Sequence, residues 1–162
     1  MNIWLISDTH FNHKTMVEEG WRNFKSIEEM NEKIIYEWNK KVKKEDTIYH
    51  LGDVCIGKYK EYKELIEPKL NGNIIYIRGN HDTKALTNIK NLIIDYKGKT
   101  IELVHNPAEA TNTTKYIIHG HQHKKGTRHF CTKDINIKYL NVNLEFNKMK
   151  PILINEVMGK IK

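Results

Sequence analysis

The length and composition of the chain describe one globular domain. It has 162 residues, 39% of them hydrophobic, and 27 lysines and arginines against 20 aspartates and glutamates, so its formal charge is +7. A chain of this length can enclose one core, whereas two separate cores would each be near the lower size limit. The hydrophobic content excludes a disordered protein, and no apolar run approaches the roughly 18 residues of a membrane span. We therefore expect a single soluble domain over residues 1–162, with no membrane partner.

The start of the chain and its two cysteines bear on the cellular compartment. Residues 1–8 lack a basic stretch and contain only a short apolar run, unlike a signal peptide. Cys55 and Cys131 are too few and too far apart for a disulfide framework or a Cys-x-x-Cys zinc site. These features predict a cytoplasmic protein with free thiols.

The first half of the chain alternates strand-like and helix-like patterns. An apolar run over residues 2–6 predicts a buried strand that leads to Asp8. Ser26 and Glu29 have the spacing of a capping box, and apolar residues then recur every three or four positions to about residue 42, which predicts a helix. A strand over 47–51, a surface helix over 59–70 and a strand over 74–77 follow. The pattern is typical of helices packed on a sheet.

The second half of the chain is predicted to be mostly β. Strand-like runs cover residues 92–96, 100–104, 116–118, 135–144 and 152–154, and they leave little room for helices. We find no internal repeat and no linker, which agrees with one domain.

Polar residues stand just past the predicted strand ends. In chain order they are Asp8-Thr9-His10, Gly52-Asp53, Gly79-Asn80-His81-Asp82, His105 and Gly120-His121-Gln122-His123. Because the carboxyl ends of strands line the functional crevice of open α/β sheets, these loops can converge on one site. Imidazoles and carboxylates without thiolates suit divalent Mn, Fe, Zn, Ni or Co. The glycines permit tight turns where a Cβ would not fit.

In this order, the five motifs resemble those of the calcineurin-like metallophosphoesterase superfamily over nearly the whole chain. The resemblance implies an α/β (α+β) fold, a four-layer β-sandwich of two mixed sheets with helices on both outer faces. It also implies two metal ions that share one bridging residue, Asp53. One ion would be held by Asp8, His10, Asp53 and His123, and the other by Asp53, Asn80, His105 and His121. His81 would act on the leaving group, and Asp82 is placed to orient it.

The charge at such a site favours phosphate esters. Two divalent ions, two carboxylates and a bridging hydroxide leave a charge of about +1, and paired ions lower the pKa of a shared water. His81 as imidazolium could protonate the departing alkoxide, and no protein nucleophile is required. The predicted reaction is direct hydrolysis of a P–O bond by a dimetal-bound hydroxide, with Mn as the first candidate metal.

The sequence leaves the substrate open. The charge of +7 favours a phosphodiesterase acting on nucleotides or nucleic acid. Lys124, Lys125 and Arg128 are interpreted either as a basic rim of the site, which would support that substrate, or as part of a solvated loop. The alternatives are a phosphomonoesterase on small phosphates or phosphoproteins and a non-catalytic scaffold, although a scaffold would be expected to lose ligands. His13, in the first loop, is a candidate for substrate binding. Arg22 is interpreted either as an anion clamp or as a partner in a surface salt bridge.

Overall fold

Two mixed four-stranded sheets form the centre of the molecule. The computed structural model describes residues 1–57, 59–124 and 136–160. The first sheet contains β1 (Ile3–Ile6), β2 (Thr47–His50), β3 (Asn73–Tyr76) and β8 (Ile152–Leu153). The second contains β4 (Asn91–Tyr96), β5 (Lys99–Val104), β6 (Tyr116–His119) and β7 (Lys138–Asn141). The spatial orders are β3-β2-β1-β8 and β4-β5-β6-β7. Neighbouring strands run parallel except for the β1–β8 and β4–β5 pairs.

The helices of the described residues are shorter and less regular than the sequence predicts. They are α1 (Thr15–Glu18), α2 (Ile27–Asn39), α3 (Tyr59–Glu61) and α4 (Ile154–Gly159). The predicted helix over 59–70 continues from α3 as a π turn, Tyr62–Ile66, and a 3-10 turn, Glu67–Lys69. Pro68 lies in that last turn, where its missing N–H and its ring are incompatible with the interior of an α-helix. The run at 152–154 is a strand only to residue 153, and α4 then begins.

The α2 helix packs on the outer face of the first sheet. Ser26 accepts a hydrogen bond from the Glu29 amide, as the capping box predicts, but the Glu29 carboxylate accepts from the Lys25 amide instead of the Ser26 amide. The apolar stripe of α2 is fully buried: Met30, Ile34 and Trp38. It shares one core cluster with β1 and β2.

Strand alternation divides the first sheet between two cores. Ile6 packs with the α2 stripe, whereas Leu5 belongs to the core between the two sheets. The second sheet contributes Ile101, Leu103 and Ile118 to that inner core, and α4 packs beside it. The predicted sandwich of two mixed sheets flanked by helices is therefore confirmed. None of the helices in the described ranges is long and apolar enough to cross a membrane.

Candidate metal centre

The predicted ligands lie at one edge of the sandwich. Loops after β1, β2 and β3 carry ligands from the first sheet, and loops after β5 and β6 carry those from the second. Backbone hydrogen bonds join these loops: the Asp8 amide donates to Gly52 O (2.9 Å), the His10 amide to Asp53 O (3.0 Å) and the Gly120 amide to His105 O (3.0 Å). The predicted ligands are thus held by main chain that continues the sheets.

One group of ligand atoms combines the first loop with the loop after β6. His10 Nε2 lies 3.3 Å from His123 Nε2. Asp8 Oδ1 lies 3.5 Å from His123 Nε2 and 4.0 Å from His10 Nε2. Such a three-atom cluster could hold one metal ion.

The second group joins the loops after β2, β3, β5 and β6. Asn80 Oδ1 lies 3.0 Å from both His105 Nε2 and His121 Nδ1, and these two ring nitrogens are 3.2 Å apart. Asp53 Oδ2 lies 3.4 Å from His105 Nε2. Asp53, His105 and His121 also form a candidate metal-binding cluster.

The Asp53 carboxylate lies between the two groups. Its Oδ2 atom is 3.7 Å from His10 Nε2 in the first group as well as 3.4 Å from His105 Nε2 in the second. Both Asp53 and His10 are only 2% exposed. A single carboxylate oxygen is therefore within reach of cations in either position.

The hydrogen bonds of the histidines leave nitrogens available for metal. His105 Nδ1 lies 2.7 Å from the Leu51 carbonyl and His123 Nδ1 lies 2.7 Å from Glu145 Oε1, so a neutral ring at either position would carry its proton on Nδ1 and present Nε2 to a metal ion. Ligand atoms about 2.1 Å from one ion are roughly 3.0–3.4 Å from their neighbours. The close nitrogen and oxygen pairs match that spacing, so the residues fit divalent cations.

Burial and mutual charge perturb the ionisation of these groups. Burial raises the pKa of Asp8. Burial also opposes the charge on Asp53, but the hydrogen bond and charge of His105 outweigh it and hold the pKa of that carboxyl below its usual range. Burial lowers the pKa of His105, yet the hydrogen bond to Asp53 and the charges of both aspartates raise it to about 9. Carboxylates and imidazoles thus stabilise one another's charged forms.

The local backbone is strained where it presents ligands. Four predicted ligands adopt positive φ angles: Asp8 (60°), His10 (50°), Asp53 (55°) and His121 (69°). Non-glycine residues seldom occupy this left-handed region, and such strain clusters at functional sites. A Cβ on Gly79 would collide with the Asp53 carboxylate, and one on Gly120 would collide with Ser7 and Asp8. The glycines therefore permit close approach of the chain to the acidic ligands.

His81 and His13 lie at the open side of the centre. The His81 amide donates to Asp53 Oδ1 (3.0 Å), and its exposed ring is 5.6 Å from the His10 ring, centroid to centroid. His13 Nδ1 is 3.2 Å from His10 Nδ1, and its ring is 5.9 Å from that of His81. Both predicted non-ligand histidines are thus brought together beside His10.

The role predicted for Asp82 requires a correction. Its Oδ2 accepts hydrogen bonds from the amides of Asp53 (2.7 Å) and Gly79 (2.8 Å), and its Oδ1 accepts from the Val54 amide (2.9 Å). The carboxylate therefore orders the backbone around Asp53 and does not orient the His81 ring. The physical reason is that the tight turns after β2 and β3 leave three amides to be satisfied.

The sequence did not indicate Glu145, and the salt bridge predicted for Arg22 forms but is buried. Arg22 is buried, and its guanidinium donates to Glu145 Oε1 (3.0 Å), Thr9 O (2.9 Å) and Asp8 O, so it is neither a surface residue nor free to clamp an anion. Glu145 accepts from the Lys124 amide and contacts His123. The only hint of this role in the sequence is that Glu145 is an acidic residue between two large apolar residues, Leu144 and Phe146. Lys125 and Arg128 of the predicted basic rim lie outside the described residues.

Known proteins are similar to this chain over almost its entire length. The family model of the calcineurin-like phosphoesterase superfamily domain matches residues 1–143. The uncharacterized protein MJ1445 of Methanocaldococcus jannaschii is 38% identical to this chain over an alignment of 164 residues. The alignment covers 99% of this chain and 91% of that protein. The crystal structure of the protein of unknown function AQ665 from Aquifex aeolicus is 32% identical, with a TM-score of 0.77 and 99% of each chain covered. Because the match includes every loop that carries a candidate ligand, the chain belongs to the calcineurin-like phosphoesterase superfamily.

Proposed function

We propose that the protein is a hydrolase that uses two divalent metal ions to cleave phosphodiesters of nucleotides or nucleic acid. The observation that carries the proposal is the position of Asp53 Oδ2, 3.7 Å from His10 Nε2 and 3.4 Å from His105 Nε2. One carboxylate within reach of two histidine-rich groups is the arrangement that a pair of bridged ions needs. Manganese is the first metal to test, followed by Fe, Zn, Ni and Co.

The protein's own residues hold the reacting groups in place. Asp8, His10 and His123 would hold one ion, and Asn80, His105 and His121 the other, with Asp53 shared. Divalent ions at these positions would neutralise charge on phosphoryl oxygens and lower the pKa of a water molecule. Asp82 is proposed to position Asp53 without contacting an ion, because its carboxylate accepts three hydrogen bonds from backbone amides around the Asp53 turn.

His81 is the proposed general acid. Its ring is exposed beside the ligand His10, and the amide bond to Asp53 fixes its backbone at the centre. As imidazolium it would donate a proton to the oxygen of the departing alcohol, so that the leaving group does not depart as an alkoxide. The neighbouring His13 is proposed to contact the substrate on the same side, because its ring lies near both His10 and His81.

The preference for diesters is supported by charge. The chain has a formal charge of +7, and bound divalent cations would add to the positive charge of the site. Nucleic acids are phosphodiester polyanions, which a basic surface attracts.

Hydrolysis of two chromogenic substrates tests the proposal. Metal-stripped protein is supplied with Mn, Fe, Zn, Ni or Co and assayed with bis-p-nitrophenyl phosphate and p-nitrophenyl phosphate. We expect faster cleavage of the diester. Preference for the monoester would replace the phosphodiesterase proposal by a phosphomonoesterase, and inactivity with every metal would favour a scaffold. A Lys44→Ala variant, altered at an exposed lysine before β2, serves as the control for preparation and metal loading.

A further inference from the structure

A cavity opens beside the second ligand group, and its lining does not include the proposed general acid. It measures about 240 Å³ and its lining includes Asn80 and His105 of the metal centre. The same wall includes Arg78 and Lys90, and we call this space the basic cavity. His81 and His13 line different cavities. The basic cavity therefore adjoins the metal centre without including the groups assigned to the leaving group.

Two cationic side chains in this wall are free to meet a ligand. The Arg78 amide donates to the Ile89 carbonyl (2.7 Å), which ties the end of β3 to the segment before β4 and brings Arg78 near Lys90. Within residues 1–57, 59–124 and 136–160, neither side chain forms a hydrogen bond or an ion pair. An arginine fork and a lysine ammonium are the donors that proteins use to bind phosphate oxygens.

Two carboxylates also line the basic cavity, and they differ in their contacts. The Asp82 carboxylate is engaged by three backbone amides. The exposed Glu109 carboxylate has no hydrogen-bond or ion-pair partner among the residues that the structure describes, whereas its backbone carbonyl accepts from Asn91 Nδ2. The formal charges of the two cations and the two carboxylates balance, but only the Glu109 carboxylate is left to oppose an anion, because that of Asp82 accepts three backbone hydrogen bonds.

We propose that the basic cavity binds a second phosphoryl group carried by the substituent that remains attached to the scissile phosphorus. The inference rests on the proposed phosphodiesterase function. Water would supply the oxygen of the new P–O bond, and the P–O bond to the leaving group would break. His81 would donate its proton to the departing oxygen, and the proton released by the water would return His81 to its starting state through solvent. The retained substituent would lie on the Asn80 and His105 side. A volume of about 240 Å³ suits a phosphoryl group with its linker better than a whole drug-sized ligand, which needs roughly 300–1,000 Å³.

A matched pair of diesters isolates the second phosphate. Thymidine 5′-(p-nitrophenyl phosphate) and its 3′-phosphorylated form have the same leaving group and the same nucleoside, and differ only by the added phosphate. We expect the wild-type protein to show a higher kcat/KM for the phosphorylated form. Arg78→Ala and Lys90→Ala should each lower this preference about tenfold or more, the usual scale for a lost charged hydrogen bond.

Glu109→Gln provides the opposite change. Removing the opposing carboxylate should increase the preference for the phosphorylated diester, so the two kinds of variant move the ratio in opposite directions. Lys44→Ala, which removes an exposed lysine outside the basic cavity, should keep the wild-type ratio. If Arg78 had only a structural role, Glu109→Gln would not be expected to increase the preference for the phosphorylated diester.

Equilibrium binding gives a second readout that does not depend on turnover. Thymidine 3′,5′-bisphosphate should bind more tightly than thymidine 5′-phosphate, and Arg78→Ala should remove the difference. Hydrolysis of both diesters with equal kcat/KM, or a preference that survives in Arg78→Ala and Lys90→Ala, would overturn the basic cavity assignment while leaving the phosphodiesterase intact. Absence of hydrolysis would overturn the proposed function, and bisphosphate binding would then decide whether the basic cavity is an anion site.

Discussion

The two halves of the candidate metal centre orient their histidines by different means. His105 Nδ1 faces the Leu51 carbonyl, a main-chain atom at the end of β2. His123 Nδ1 faces the Glu145 carboxylate, which is itself held by the buried Arg22. The His105 side chain is 3% exposed and that of His123 is 15% exposed. The orientation of His105 is therefore supported by a backbone atom that no substitution removes, whereas that of His123 depends on replaceable side chains.

The carboxylate that both halves share should show the largest effect. Asp53→Asn is expected to weaken both metal positions together and to abolish hydrolysis, because the same oxygen faces His10 and His105. Metal content per protein, measured by mass spectrometry after dialysis, should fall at both positions. Loss of only one ion would show that Asp53 belongs to one half.

A substitution that removes no ligand should separate chemistry from metal binding. His81→Ala is expected to retain both ions and to lower kcat by roughly 10²–10⁴-fold, the usual contribution of a general acid. Diesters with poor leaving groups should be affected more than p-nitrophenyl esters, because they depend more on protonation. A wild-type kcat of the variant on both kinds of diester would show that His81 is not the general acid.

The half of the site that depends on side chains should be selectively weakened by Glu145→Gln. Loss of a carboxylate that contacts a metal-binding histidine typically costs 10–100-fold in metal affinity. We expect that loss at the Asp8, His10 and His123 position, with the other position preserved. Calorimetric titration of the metal-stripped variant with metal ion should resolve one weakened and one unchanged binding event. Equal weakening at both positions would contradict the division into two halves.

A carboxylate outside the centre should affect stability and leave metal binding unchanged. Asp46 accepts hydrogen bonds from the Asn2 amide (2.7 Å), Trp4 Nε1 (2.9 Å) and the Lys43 amide (3.1 Å). Burial opposes its charge, but these donors lower its pKa to about 2. Asp46→Asn should cost about 1–3 kcal/mol of unfolding free energy at neutral pH.

The pH dependence of that loss follows from the direction of the pKa shift. A folded-state pKa below the ordinary value of 3.8 means that the contribution of Asp46 is complete above pH 4 and is lost as the pH falls toward 2. Urea unfolding of both proteins at pH 7 and near pH 3 should show the difference shrinking in acid. A difference that is independent of pH would assign the effect to packing and not to charge.

The candidate ligands could be identified from the sequence alone. Asp8, Asp53, Asn80 and His121 each follow a strand-like run, and the ends of parallel strands meet at one edge of a sheet. The period of the α2 stripe likewise identified Met30, Ile34 and Trp38 as core. The helix α4 escaped prediction because its six residues show too little periodicity to be distinguished from the adjoining strand.

The chain sequence by itself thus determined the family motifs, the sandwich class and the residue types available for metal binding, since these follow from local patterns at strand ends. Only the tertiary structure decided which side chains support them. Arg22 and its partner Glu145 are 123 positions apart in the sequence. The Asp82 carboxylate accepts a hydrogen bond from the Asp53 amide, which belongs to another loop. Hydrogen bonds between distant segments have no period along the sequence, so they become visible only when folding brings donor and acceptor together.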